Sequence, residues 1–192
     1  MKQLILLIII IFSTSKSSCQ DIKQLYSEEF NWRMNVPEGF TTVAKQKSAE
    51  LDAKGKIALE KTLGQKIENN SIDIFRVQLD KQNYFQANYQ PHDEKLNPDY
   101  LGNLSLLHKT LYQTFISQIP GVEIDSSTTT EYISNIKFVT YKMSMNIQNK
   151  ATLNMYMFSS LFGKKDLTVS IVFLNEKAGR DLLEAWRKST FN

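Results

Sequence analysis

The chain of 192 residues has one cysteine, two histidines, four prolines and seven glycines. A lone cysteine excludes an intramolecular disulfide and a metal site built from several thiolates. The scattered glycines form neither a phosphate-cradling loop nor a Gly-x-Ser-x-Gly elbow. Neither sign of charge dominates: 23 basic residues are interspersed with 20 acidic ones, which argues against a nucleic-acid partner. Long apolar runs are missing as well. The longest, Leu4 to Phe12, has nine residues, against the roughly twenty that span a bilayer as a helix.

What the chain does have at its start is an address. Lys2, the short apolar run and a small-polar stretch ending at Cys19 are the three parts of a secretory signal. Residues 1–19 are therefore expected to be a signal peptide, and the product an exported protein of the periplasm or the cell exterior. Two processing routes stay open. A general signal peptidase that reads Ser17 and Cys19 and cuts after Cys19 leaves a soluble chain starting at Gln20. Alternatively, Ser17-Ser18-Cys19 resembles the lipobox of bacterial lipoproteins, although Lys16 stands where that motif has Leu, Val or Ile. Cys19 is then the candidate lipidation residue, and a lipid anchor is the chain's one tie to a membrane. Lys2 and Lys16 leave with the signal, so the mature charge is close to neutral.

About 170 residues remain, enough for one full-sized core and few for two. Residues 26–192 read as a single domain. Phe30, Trp32, Met34 and Val36 alternate with polar residues as in a strand, broken by Pro37 and Gly39. Ser48 to Leu63 reads as a helix capped by Ser48 and interrupted by Gly55. Phe75, Val77 and Leu79, then Phe85, Ala87 and Tyr89, mark two half-buried strands. Asn97-Pro98 reads as the cap and first turn of a helix over 98–118, with Leu104, Leu107, Leu111 and Phe115 as its stripe. The polar run Ser126 to Thr130 reads as a strand end or loop. Three further alternations follow, along Val139 to Ile147, Leu153 to Met157 and Leu167 to Phe173. Asn175 caps a closing helix that carries Leu182, Leu183 and Trp186. Alternating strands in neighbouring runs imply antiparallel pairing, so the fold class is α+β.

A strand ending in Val36-Pro37-Glu38-Gly39-Phe40, later long antiparallel strands, and a closing helix ending in Ser189-Thr190-Phe191 resemble the Mog1/PsbP superfamily over residues 28 to 191. The resemblance implies an antiparallel sheet flanked by helices, an α/β/α sandwich. Members of that superfamily include an accessory protein of photosystem II, a nuclear-transport factor that binds a small GTPase, and chaperones of hydrophobic segments. It thus implies a non-catalytic binding role and transfers no functional residue.

The residues themselves supply little catalytic equipment. His92 lies beside Asp93 and Glu94 in a polar loop, a small oxygen-and-nitrogen cluster that reads as a solvated loop rather than a metal site. His108 falls near the Leu104 to Leu111 stripe and reads as a boundary histidine packed between helix and sheet, with no identifiable partner for a triad. Glu28-Glu29 and Asp93-Glu94 are adjacent pairs and not a pair set across a cleft. No catalytic, metal or cofactor-binding residue is assigned, and no cofactor is expected. Met143, Met145, Met155 and Met157 share a sheet face that reads as core. The expected function is a non-catalytic binding or accessory module of the bacterial envelope, with an unidentified envelope protein as partner. The alternative is a carrier that holds a small hydrophobic ligand between the Met-rich face and the 98–118 helix.

Overall fold

The computed structural model describes residues 23–66, 70–148 and 151–192, so the signal segment and Cys19 lie outside the described residues. In chain order the strands and helices are β1 (Gln24–Ser27), β2 (Trp32–Asn35), β3 (Thr41–Thr42), α1 (Lys45–Leu63), β4 (Ile72–Asp80) and β5 (Asn83–Pro91). They are followed by α2 (Tyr100–Gln118), β6 (Val122–Ile133), β7 (Ile136–Ile147), β8 (Ala151–Phe162), β9 (Lys165–Phe173), α3 (Glu176–Arg187) and β10 (Thr190–Phe191). A seven-stranded sheet runs β3-β4-β5-β9-β8-β7-β6, every pair antiparallel, and a three-stranded sheet runs β1-β2-β10. The α+β class with an antiparallel sheet flanked by helices is borne out.

One face of the large sheet is apolar. Alternation along its strands points Val77, Phe85, Phe138, Phe158, Leu167 and Ile171 towards α3 and the small sheet, where they meet Trp32, Leu182 and Trp186. The Trp186 ring touches five others, those of Trp32, Phe85, Phe138, Phe158 and Phe191, with centroids 5.2–6.2 Å away. This aromatic knot fixes α3. The helix starts where the Asn175 side chain accepts from the Ala178 amide at 3.0 Å, and Asn83 Oδ1 accepts from the Leu174 and Asn175 amides at 3.0 and 2.8 Å. Its Gly179 is dictated by contact, since a Cβ there would enter the space of the Phe173 ring.

Several local expectations are corrected. Phe30 lies in a 3-10 turn over Glu28–Phe30, and Asn31 follows with φ 45°, so the strand begins at Trp32. Helix α1 begins at Lys45 with Ala44 as its N-cap, which leaves Ser48 buried inside the helix, and it runs through Gly55. Helix α2 begins after Asp99, whose carboxylate accepts from the Gly102 amide at 2.9 Å and takes the capping role from Asn97. The run Ser126 to Thr130 lies in the middle of β6, paired residue for residue with β7. That strand is the sheet's edge, where polar, β-branched threonines serve well. Thr140, a polar residue of the Val139 to Ile147 alternation, is fully buried, because helices or the small sheet cover both faces.

Two glycines should respond oppositely to alanine. Gly179→Ala is expected to destabilise the protein by about 1–3 kcal/mol through overpacking on Phe173. Gly55→Ala, with open space around it in mid-helix, should stabilise by about 0.5–1 kcal/mol. Urea unfolding of both variants checks the signs.

Candidate functional site

The opposite face of the large sheet, covered by α1 and α2, is divided. Under α2 it is apolar: Met143, Met145, Met155 and Met157 are buried, and Leu111, Tyr112 and Phe115 pack against them. Their side chains fill the place where a hydrophobic cargo was envisaged. Under α1 the floor is polar. The period of two that turns Phe85 and Ala87 to the aromatic core turns Gln86, Asn88 and Gln90 to the helices. The floor continues across β9 and β8 through Thr168, opposite Asn88, and Ser159, whose Oγ lies 3.4 Å from Thr168 Oγ1.

A β-bulge completes this floor. Asp73 pairs with Asn88, Phe75 with Ala87 and Arg76 with Gln86, so Ile74 has no partner opposite it. Asp73 and Arg76 are three apart and would face opposite ways in a regular strand; the extra residue brings both to the helical face. Asp52 of α1 meets them there. Gln86 Nε2 donates to Asp52 Oδ1 at 2.9 Å and to Asp73 Oδ1 at 3.5 Å, while Arg76 Nη1 lies 3.6 Å from Asp52 Oδ1. The Arg76 guanidinium carbon sits 4.4 Å above the Tyr84 ring centre. Arg76 is only 7% exposed, yet its Nε and Nη1 have no hydrogen-bond partner. The Asn88 amide is without a side-chain partner among the described residues.

Burial raises the Asp52 pKa, and the like charge of Asp73 adds to the rise, while the Gln86 hydrogen bond and Arg76 oppose it. The two carboxylates share the Gln86 Nε2 donor, so they do not flank a gap in which a glycosidic bond would lie. Above them, between α1 and strands β4 and β5, a groove of about 890 Å³ stays open. The arrangement can hold a polar molecule, and it lacks a nucleophile poised beside a base.

Gln90 links this floor to a second cluster at the end of the sheet. Asp166, 6% exposed, accepts from Tyr100 Oη at 2.9 Å and from Gln90 Nε2 at 3.3 Å. Burial pushes the Asp166 pKa up, partly offset by the hydrogen bonds from Tyr100 and Gln90 and by the nearby His92. Burial and the Asp166 charge together push the Tyr100 hydroxyl well above its usual range. His92 sets its ring edge-on to Tyr100 at 5.8 Å, beside a cleft of about 640 Å³. It is half-buried, a correction to the solvated-loop reading, whereas Asp93 folds back to accept from the Lys95 amide at 2.9 Å. Among the described residues no three His, Cys, Asp or Glu side chains gather as a metal site.

His108 lies flat on Tyr141, rings 4.2 Å apart and 6° from parallel, where burial lowers its pKa and its Nε2 has no partner. No hydroxyl or carboxylate is hydrogen-bonded to either imidazole among the described residues. Glu28 and Glu29 lie in the 3-10 turn, with Glu29 ion-paired to Lys165, the neighbour of Asp166 in β9. Asp52, Asp73, Arg76, Gln86, Asn88 and Asp166 are the residues that sequence reasoning missed. The amide spacing in Gln86, Asn88 and Gln90 was a legible signal; the bulge was not.

No family model and no curated protein matches the chain. Among solved structures, it is similar to the solution structure of cyanobacterial PsbP (CyanoP) from Synechocystis sp. PCC 6803, with a TM-score of 0.53 and 7% identity. The match covers 92% of this chain and 99% of the other. The fold is PsbP-like. At this identity the likeness extends to the Mog1/PsbP-like architecture and not to individual residues. The polar floor is a property of this chain laid on that PsbP-like frame.

The buried Asp166 gives a test by pH. Its native pKa lies above the ordinary value of 3.8, so the native state holds its proton more tightly than the unfolded chain. Its contribution to stability therefore falls as pH rises from the unfolded value through the native one. In Asp166→Asn this fall should vanish, leaving stability flatter above about pH 4, as measured by urea unfolding at each pH.

Proposed function

We propose that this chain is a non-catalytic, exported binding module that acts as an accessory to components of the bacterial envelope, and that the groove beneath α1 is its binding surface. One observation carries the reading. The floor of the groove holds more hydrogen-bonding capacity than the fold consumes: two guanidinium nitrogens of the buried Arg76, Nε and Nη1, lack hydrogen-bond acceptors. Buried polar groups kept for stability alone are normally satisfied, because each unpaired one costs about 1–3 kcal/mol. A surface kept for binding bears that cost until its ligand arrives. The signal-like segment before the domain supports the exported setting, and among the described residues no helix is long and apolar enough to cross a membrane. Whether Cys19 is lipidated or removed sets how the module is held in the envelope.

Photo-crosslinking in intact cells tests the reading. A benzophenone amino acid at Ala49, on the groove wall, should give adducts with an envelope component, and one at Lys177, exposed on α3, should not. Equal adduct yields from both sites, or none from Ala49, contradict it. Mass spectrometry of the mature N-terminus tests the setting: a diacylglyceryl Cys19 or a new start at Gln20 is expected, and retention of Met1 contradicts export.

A further inference from the structure

Resting on the reading of the groove as a binding surface, we infer that its ligand is a neutral, hydroxyl-rich molecule of disaccharide size. The charge balance of the floor disfavours the other polar classes. Asp52 lies 3.6 Å from Arg76, and Asp73 shares the Gln86 donor with Asp52, so the surroundings of the one guanidinium already hold two carboxylates. An anion drawn to Arg76 would meet both carboxylates within a few ångströms, and like charges that close repel strongly where water is scarce. A cation drawn to the carboxylates would meet Arg76, which is held over Tyr84 and cannot lose its proton. Of the two lysines that line the groove, Lys56 is committed to Glu60 at 3.7 Å and Lys45 is exposed at the start of α1.

The hydrogen-bonding inventory then selects among neutral ligands. Carboxylates only accept, a guanidinium only donates, and amides do both. Along this floor they alternate within a short span: Arg76 and Asp73 on β4, Gln86, Asn88 and Gln90 on β5, with Asp52 above. A hydroxyl group both donates and accepts, so a molecule with several of them satisfies each type in turn. The oxygen of one can take the free Arg76 hydrogens, while its neighbours donate to the carboxylates. An apolar ligand would instead bury all of these groups unpaired. The groove volume of about 890 Å³ is at the upper end of the roughly 300–1,000 Å³ usual for small-molecule sites, ample for two sugar rings. The wall contributed by α1 includes Ala49, Ala53 and Gly55, which carry a methyl group or no side chain and leave the floor uncovered there.

The experiment is an NMR titration of the mature chain, following the side-chain amides of Gln86, Asn88 and Gln90. The probes are maltose, cellobiose and N,N′-diacetylchitobiose as neutral disaccharides, citrate and inorganic phosphate as anions, and spermidine as a cation. At least one disaccharide should shift these amides saturably, and Asn88→Leu, which leaves the aromatic core untouched, should weaken that binding about tenfold, the worth of a single net hydrogen bond. Saturable shifts from citrate, phosphate or spermidine without any from the disaccharides overturn the ligand class, while leaving the groove as a binding surface. Silence from all three disaccharides overturns it too. Failure of the Ala49 crosslink would instead count against the groove itself, so the two outcomes are separable.

Discussion

One residue too many in β4 organises the helical face of this protein. Because Ile74 has no partner, Asp73 and Arg76 emerge on the same side of the sheet, opposite Asn88 and Gln86. Arg76 buried alone would be untenable; Tyr84 beneath it, Asp52 beside it and the nearby Asp73 share its charge. Gln86 joins the two carboxylates, and Asp52 ties α1 to the sheet. The bulge thus couples a backbone irregularity to the position of a helix and to the chemistry under it.

The two sides of the sheet are held by different forces. On one side α3 is locked by apolar burial: truncating a residue like Trp186 typically costs about 3–5 kcal/mol, a large part of the 5–15 kcal/mol that holds a domain together. On the other side α1 turns Lys45, Ala49, Asp52, Lys56 and Leu59 towards the sheet and fully buries only Ser48. Its attachment to the sheet rests on a few polar contacts, each worth about 1 kcal/mol net, and Gln118 of α2 donates to its Ala58 carbonyl at 3.2 Å. A helix held in this way belongs to the low-stability end of a structure, the part that opens first. A rigid aromatic side and a loosely covered polar side thus share one PsbP-like frame.

Much of the fold was legible because the strands from Val139 onward alternate strictly and the closing helix carries its cap and its stripe. The same reading placed the methionines in the core and His108 between helix and sheet. It failed where local signals compete or where long-range pairing decides. Asp99 displaces Asn97 as the cap by reaching the Gly102 amide, and Ser126 to Thr130 reads as a strand end or loop until β7 is seen beside it. The site was hidden for a related reason. Alternation shows that Arg76, Gln86 and Asn88 share a polar face, but not whether water or a helix covers it. No sequence signal located the bulge, so Asp73 and Arg76 could not be placed together.

The central claim, that the bulge sets Asp73 against Asp52 on the floor of the groove, is open to direct measurement by carbon-13 NMR titration of the Asp52 carboxyl. In the native chain Asp52 should titrate above the ordinary 3.8, and in Asp73→Asn it should move down towards that value. An Asp52 that titrates at the ordinary value in both proteins would contradict the account.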